Sequence, residues 1–173
     1  MKKIFLLGFL LLAGCTGIPR GITVVDNFAL DRYLGKWYEI ARIDNWFERG
    51  IDQATASYTL ADDGSVKVVN SGYKVKKREW KTIEGRAVFI DDTRKGALKV
   101  SFFGPFYASY NVIALDTQNY SWAVVCGRSR SYLWILSRTP VMERELLDEL
   151  VQNAGAKGFD TTKIHRVSQQ QAE

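Results

Sequence analysis

Strand-forming runs recur along this chain every ten to fifteen residues, at 36–43, 54–60, 65–73, 80–90, 97–103, 109–115, 121–126 and 132–137. That rhythm restricts it to few folds. Turn-forming stretches separate the runs, among them Asp62-Asp63-Gly64, Asp91-Asp92-Thr93 and Asp116-Thr117-Gln118-Asn119. Eight short strands joined by hairpin turns fit a closed antiparallel barrel, because closure removes the unpaired edges that invite aggregation. An eight-stranded interior is just wide enough for one small ligand.

The first run begins Gly35-Lys36-Trp37-Tyr38-Glu39-Ile40-Ala41-Arg42. An indole is too large to leave on a polar strand without a buried place for it. Trp37 therefore reads as the plug at the floor of the barrel, and the function as holding a small apolar molecule. One segment departs from the strand rhythm. After Thr139-Pro140, apolar residues at 142, 146, 147, 150 and 151 fall on one helical face. Thr139 is the expected N-cap, Pro140 the first helical residue, and Gly155 and Gly158 the end. This helix is expected to pack on the barrel wall, with a short strand near 163–167 after it.

The N-terminus reads as a targeting segment. Lys2 and Lys3 precede the apolar run Ile4 to Ala13, which is too short to span a bilayer, since a spanning helix needs about 20 residues. Leu12-Ala13-Gly14-Cys15 looks like a bacterial lipobox, in which the Cys15 thiol receives the lipid. An ordinary signal peptide followed by a chance Cys is the alternative. The division expected is 1–14 signal peptide, 15–23 lipidated tether, 24–168 barrel domain and 169–173 frayed tail. With Cys15 acylated, Cys126 has no disulfide partner, and its apolar run makes it a small buried hydrophobe. Formal charge is +5 for the whole chain. Without Lys2 and Lys3 the excess is mild, and it does not argue for nucleic acid.

Three separated matches then carry a family resemblance: Gly35-x-Trp37, Asp116 with Tyr120 at a turn, and Ser137-Arg138-Thr139-Pro140 after the last barrel strand. In that order and spacing the chain resembles a lipocalin. The stretches Phe102-Phe103-Gly104-Pro105-Phe106-Tyr107 and Tyr132-Leu133-Trp134-Ile135-Leu136 resemble the bacterial outer-membrane lipocalins, near apolipoprotein D. The resemblance implies an all-β, eight-stranded antiparallel up-and-down barrel with one C-terminal helix on its wall. It implies a structural floor of Gly35, Trp37 and Arg138, with the Arg138 guanidinium lying across the indole. With Thr16 rather than an acid after Cys15, it also implies the outer membrane, facing the periplasm.

With Trp37 inside and the lipocalin pattern elsewhere, strand alternation gives the inward set. It comprises Trp37, Glu39 and Ala41; Ala54, Ala56 and Tyr58; Val66, Val68 and Asn70; and Ile83, Gly85, Ala87 and Phe89. It continues with Leu98, Val100 and Phe102; Tyr110, Val112 and Ala114; Ala123 and Val125; and Tyr132, Trp134 and Leu136. A one-residue slip would invert any of these. The candidate ligand contacts are Ala41, Ala56, Tyr58, Asn70, Phe89, Val100, Phe102, Tyr107, Tyr110, Val112 and Trp134. Glu39 is expected near the floor, paired with Arg138 or another floor group. Small residues among the large ones leave either a filled core or an apolar void.

Alternate loops fall on opposite ends. The floor loops sum to −3 and the mouth loops to +3, the latter with Trp46, Phe47, Phe106 and Tyr107. Such a rim would receive an anionic headgroup or meet an anionic membrane. The leading expectation is a lipid-anchored protein that binds a fatty acid or lysophospholipid for storage or transport at the envelope. Haem, retinoid-like and other apolar cargoes stay open. No cofactor and no metal is expected. An enzyme is disfavoured, because His165 is the sole histidine and Gly-x-Ser-x-Gly is missing. An envelope scaffold with a filled barrel is the remaining alternative, and a homodimer through the barrel wall stays open.

Overall fold

A computed structural model describes residues 16–170. The strands are β1 (Gly35–Ile43), β2 (Ile51–Leu60), β3 (Val66–Lys74), β4 (Glu79–Phe89), β5 (Ala97–Phe103), β6 (Phe106–Leu115), β7 (Trp122–Cys126), β8 (Leu133–Ser137) and β9 (Ile164–Arg166). Two helices accompany them, α1 (Leu30–Tyr33) and α2 (Arg144–Ala156). The first eight strands pair antiparallel with their sequence neighbours, and β8 and β2 both pair with β1, which closes the barrel. The expected architecture is thus the observed one.

Closure is uneven along the barrel axis. β1 pairs with β2 only over Gly35–Tyr38, at the floor half. Toward the mouth, β9 takes over β1, with Ala41 to Ile43 opposite Arg166 to Ile164. The seam is filled by the residues after β9. Gln53 N–H donates to Ser168 O at 2.7 Å, and Gln169 Nε2 donates to the carbonyls of Glu39 and Ala54 at 2.8 and 3.0 Å. The tail is therefore pinned as far as Gln169, and residues 171–173 lie outside the described region, as does the signal segment. On the N-terminal side, Gly17 N–H donates to Ser109 Oγ at 2.7 Å and Asn111 Nδ2 donates to Gly17 O at 3.1 Å. The expected tether is fastened to the wall from Gly17 onward.

Two apolar cores share the wall. The inner one gathers Trp37, Tyr58, Val66, Val68, Leu98, Val125 and Leu136, with Tyr33 and Phe28 at the floor. The outer one sandwiches Ile40, Ala41, Ile43, Ile113, Val124, Cys126, Leu133 and Ile135 under Leu147, Leu150 and Ala154 of α2. Strands covered on both faces have little need of a polar side, so their apolar residues run together.

That doubling is where alternation fails. β1 carries a bulge: Glu39 faces Leu136 and Ala41 faces Ile135 on β8, so one extra residue lies between them. Ile40 and Ala41 both belong to the outer core, and Arg42 is paired with inward-facing Trp134. β6 has a similar break after Val112, which puts Ile113 and Ala114 on the outer side. Ala41 and Ala114, expected inside, are corrected to the helix-covered face.

The helix also starts later than expected. Thr139 is not its cap: its hydroxyl donates to Val141 O at 2.7 Å, and Glu143 precedes the first helical residue without a side-chain cap. At the other end Gly158, at φ +84°, turns the chain so that Phe159 N–H reaches Ala154 O and its ring is buried. A left-handed residue is what this helix end requires, and glycine reaches it without a Cβ penalty.

Candidate functional site

The floor is built from α1 and the ends of β1 and β8. Trp37 is fully buried, and its Nε1 donates to Tyr33 O at 2.8 Å, which draws α1 across the barrel end. The Arg138 guanidinium lies 3.9 Å from the Trp37 ring centroid. Its nitrogens donate to the carbonyls of Tyr120, Lys36 and Arg32 at 3.2, 3.0 and 2.7 Å. Gly35 passes beneath it at φ +94°, where an added Cβ would meet Arg138 Nη1 at 3.3 Å. The β6–β7 turn is held by Asp116, whose carboxylate accepts from Ser121 Oγ at 2.5 Å and from nearby backbone N–H groups. These bonds, the Ser121 hydroxyl first, keep its pKa below the ordinary carboxylate value.

Above the floor lies a cavity of about 250 Å³. Ala54, Ala56, Val66, Val68, Ala87, Leu98, Val100 and Phe102 make its apolar wall. Among the expected contacts, Ala56, Tyr58, Asn70, Val100, Phe102, Tyr110 and Trp134 line it. Four others do not. Ala41 lies under α2. Phe89 packs at the floor, 6.1 Å from the Phe28 ring, and Val112 is in the closed inner core beside Gly96. Tyr107 is on the outer wall, its ring centroid 5.1 Å from Lys99 Nζ, because it alternates with Ala108, which pairs with Val100 and lines the cavity.

Three tyrosine hydroxyls form a chain low in the cavity. Tyr110 Oη sits 2.8 Å from both Tyr33 Oη and Tyr58 Oη. Burial raises all three pKa values, so these groups remain protonated and serve as neutral donors and acceptors. Asn70 Oδ1 is buried with no hydrogen-bond partner among the described residues. An unpartnered acceptor in an apolar chamber is costly, and a hydroxyl or amine on a guest would satisfy it.

Nearer the mouth is a polar cluster that the sequence reading missed in part. Glu39 pairs with Arg42, not Arg138: Arg42 Nη1 donates to Glu39 Oε1 at 2.7 Å. Arg42 Nη2 also donates to the carbonyls of Glu48 and Ile51 at 2.8 and 2.9 Å, while its Nε is left without a partner. Glu48 lines the cavity and accepts from Trp134 Nε1 at 3.0 Å. Burial, joined by the Glu48 charge, lifts Glu39 to about 8 despite the adjacent guanidinium. Desolvation wins here because a carboxylate loses more hydration than one shared cation restores. Arg42 read as an outward residue; only the bulge turns it inward. Phe28, Leu30 and Tyr33, from the α1 region, and Phe47 also line the cavity without having been foreseen.

The remaining reactive side chains lie elsewhere. Cys126 is buried on the outer face and its thiol is pushed up to about 12 by burial. His165, on β9, is 3.8 Å from Asp52 on the outside of the seam. Among the described residues no His, Cys, Asp and Glu cluster could hold a metal ion.

A closed eight-stranded barrel with a sealed floor, an apolar chamber and a helix on its wall is the architecture of a small calyx-shaped barrel protein. Residues 28–169 match the lipocalin-like domain, and the chain belongs to the lipocalin family. It is 51% identical over 171 residues to the outer membrane lipoprotein Blc of Vibrio cholerae, spanning 98% of this chain and 100% of that one. It is 54% identical over 151 residues to the outer membrane lipoprotein Blc of Escherichia coli strain K12, covering 87% and 85% of the two chains. Insecticyanin of the tobacco hornworm Manduca sexta shares the fold, with a TM-score of 0.70, 22% identity and 91% and 88% coverage.

Proposed function

We propose that this lipocalin is anchored to the outer membrane through acylated Cys15 and carries a fatty acid or lysophospholipid in its barrel, storing or moving it at the cell envelope. The observation that carries the reading is the apolar chamber of about 250 Å³, closed at one end by Trp37 and Arg138. An acyl chain fits the wall of Ala54, Ala56, Val66, Val68 and Val100. The tyrosine chain and the unpartnered Asn70 oxygen offer polar contacts to a guest's hydroxyl or carbonyl. The lipobox ending at Cys15 and the names of the relatives support the anchor. The inert Cys126 thiol and remote His165 support a role without catalysis.

The test is organic extraction and native mass spectrometry of protein purified from envelopes. The expected result is a co-purifying monoacyl amphiphile that Ala56→Phe, by filling the chamber, excludes. A ligand-free barrel that also fails to bind a fluorescent fatty acid would overturn the reading in favour of a scaffold with an unused interior.

A further inference from the structure

Among the described residues, six of the nine large exposed apolar side chains lie at the mouth end, against Leu60 at the floor end of β2 and Val141 beyond the floor end of β8. Trp46 is 79% exposed, Phe103 73% and Phe106 65%; Trp46 lies in the β1–β2 loop and the two phenylalanines at the mouth ends of β5 and β6, with exposed Val75 and Trp80 flanking the β3–β4 turn. Among them stand Lys74, Lys76, Arg78 and Arg128, which have no ion-pair partner among the described residues, whereas Lys77 and Lys81 share Glu79. Aromatic rings mixed with free cations are the composition of a surface that sits at a lipid headgroup layer, with the rings in the interface and the cations on anionic lipid.

The anchor side of the molecule gives the same direction independently. Gly17 is fixed to the outer wall of β6 at Ser109. Cys15 is two residues ahead of it, a reach of at most about 7 Å. From Ser109 the mouth residue Phe106 is three positions along β6, about 10 Å, while Leu115 at the floor end is six positions the other way, about 20 Å. A lipid held at Cys15 brings the mouth against the bilayer and cannot extend to a bilayer beneath the floor. Ile18, exposed beside Gly17, adds apolar surface at that point.

We propose that the barrel mouth is a membrane-docking surface, seated on the leaflet that holds the Cys15 lipid, with Trp46, Phe103 and Phe106 in the headgroup interface. This rests on the anchoring read above, but not on the cargo. A mouth seated in this way opens the cavity directly to the lipid layer, so a guest enters and leaves without crossing water.

The experiment uses full-length, natively processed protein reconstituted in vesicles of phosphatidylethanolamine and phosphatidylglycerol containing a doxyl-labelled phospholipid. The emission component that Trp46→Phe removes is expected to be quenched. The floor reporter Leu60→Trp is expected to stay unquenched. Phe103→Ser with Phe106→Ser, both on the surface, is expected to return Trp46 to quenching by aqueous acrylamide, and Lys76→Glu with Arg78→Glu to weaken docking most at low salt. Quenching of the floor reporter, or of neither reporter, as in a barrel lying on its side, would overturn the proposal. The intact mass separates the two readings: an unacylated protein refutes the anchor itself, whereas an acylated protein with unquenched Trp46 refutes the docking alone.

Discussion

Arg138 at the floor and Arg42 near the mouth do similar work with opposite outcomes. Arg138 lies on an indole face and donates to three backbone carbonyls, one each from α1, the start of β1 and the β6–β7 turn, with no acid paired to it among the described residues. Arg42 holds the β1–β2 loop through two carbonyls, yet its one carboxyl partner, Glu39, is buried and holds its proton up to about 8, and Nε is left bare. The floor is a closed set of matched partners. The mouth half is a set with an unmatched guanidinium nitrogen, a carboxyl that holds its proton, and an open side. The contrast teaches that one barrel can be rigid where it needs only to be shut and electrostatically unsettled where a guest must pass.

Variants at the two ends should therefore separate stability from binding. The largest loss is expected for Trp37→Ala, about 3–5 kcal/mol for a fully buried indole, read as a fall in thermal midpoint. Arg138→Ala should cost about 2 kcal/mol through its carbonyl bonds and ring contact, with the ligand bound unchanged; an unaltered melting temperature would remove Arg138 from the floor's account. Tyr110→Phe strands two hydroxyls and should cost about 1–2 kcal/mol, measurable by urea unfolding. Trp134→Ala, on the mouth side, should weaken ligand retention more than Trp37→Ala does while destabilising less. If the order is reversed, the division between the ends fails.

The remaining effect is a slope. Glu39 is lifted to about 8 in the folded protein, from an unfolded value near 4.5. The folded state thus holds this proton more tightly than the unfolded chain. Its contribution to stability is greatest below the unfolded value and declines as pH rises toward about 8. Glu39→Gln should flatten that part of the pH dependence when denaturation midpoints of the two proteins are subtracted. Parallel curves would show that Glu39 ionises without cost.

Most of the barrel was legible because strand and turn chemistry are local. The runs proposed at 97–103 and 121–126 became β5 (Ala97–Phe103) and β7 (Trp122–Cys126). On strands with one wet face, such as β3, alternation put Val66, Val68 and Asn70 inside as expected. It failed where the outer face is also covered. Ile40-Ala41 and Ile113-Ala114 are consecutive apolar pairs, and nothing in alternation says which of two apolar neighbours is the extra residue. α1 was missed because a single helical turn has no periodicity to detect, although Tyr33 precedes Trp37 by one such turn. Thr139-Pro140 carries the composition of a helix start, but the Thr139 hydroxyl is engaged with Val141 and the chain bends without helix until Glu143.

The seam between β1 and β2 has a consequence for biogenesis. Its mouth half is sealed by β9 and by Ser168 and Gln169. These residues leave the ribosome after every strand of the barrel. A chain still being made can pair its hairpins but lacks the latch that fastens the first strand's upper half. Were the leader expected at residues 1–14 to carry the chain across a membrane unfolded, a lock placed after every barrel strand would keep the container unfinished until the whole barrel had crossed.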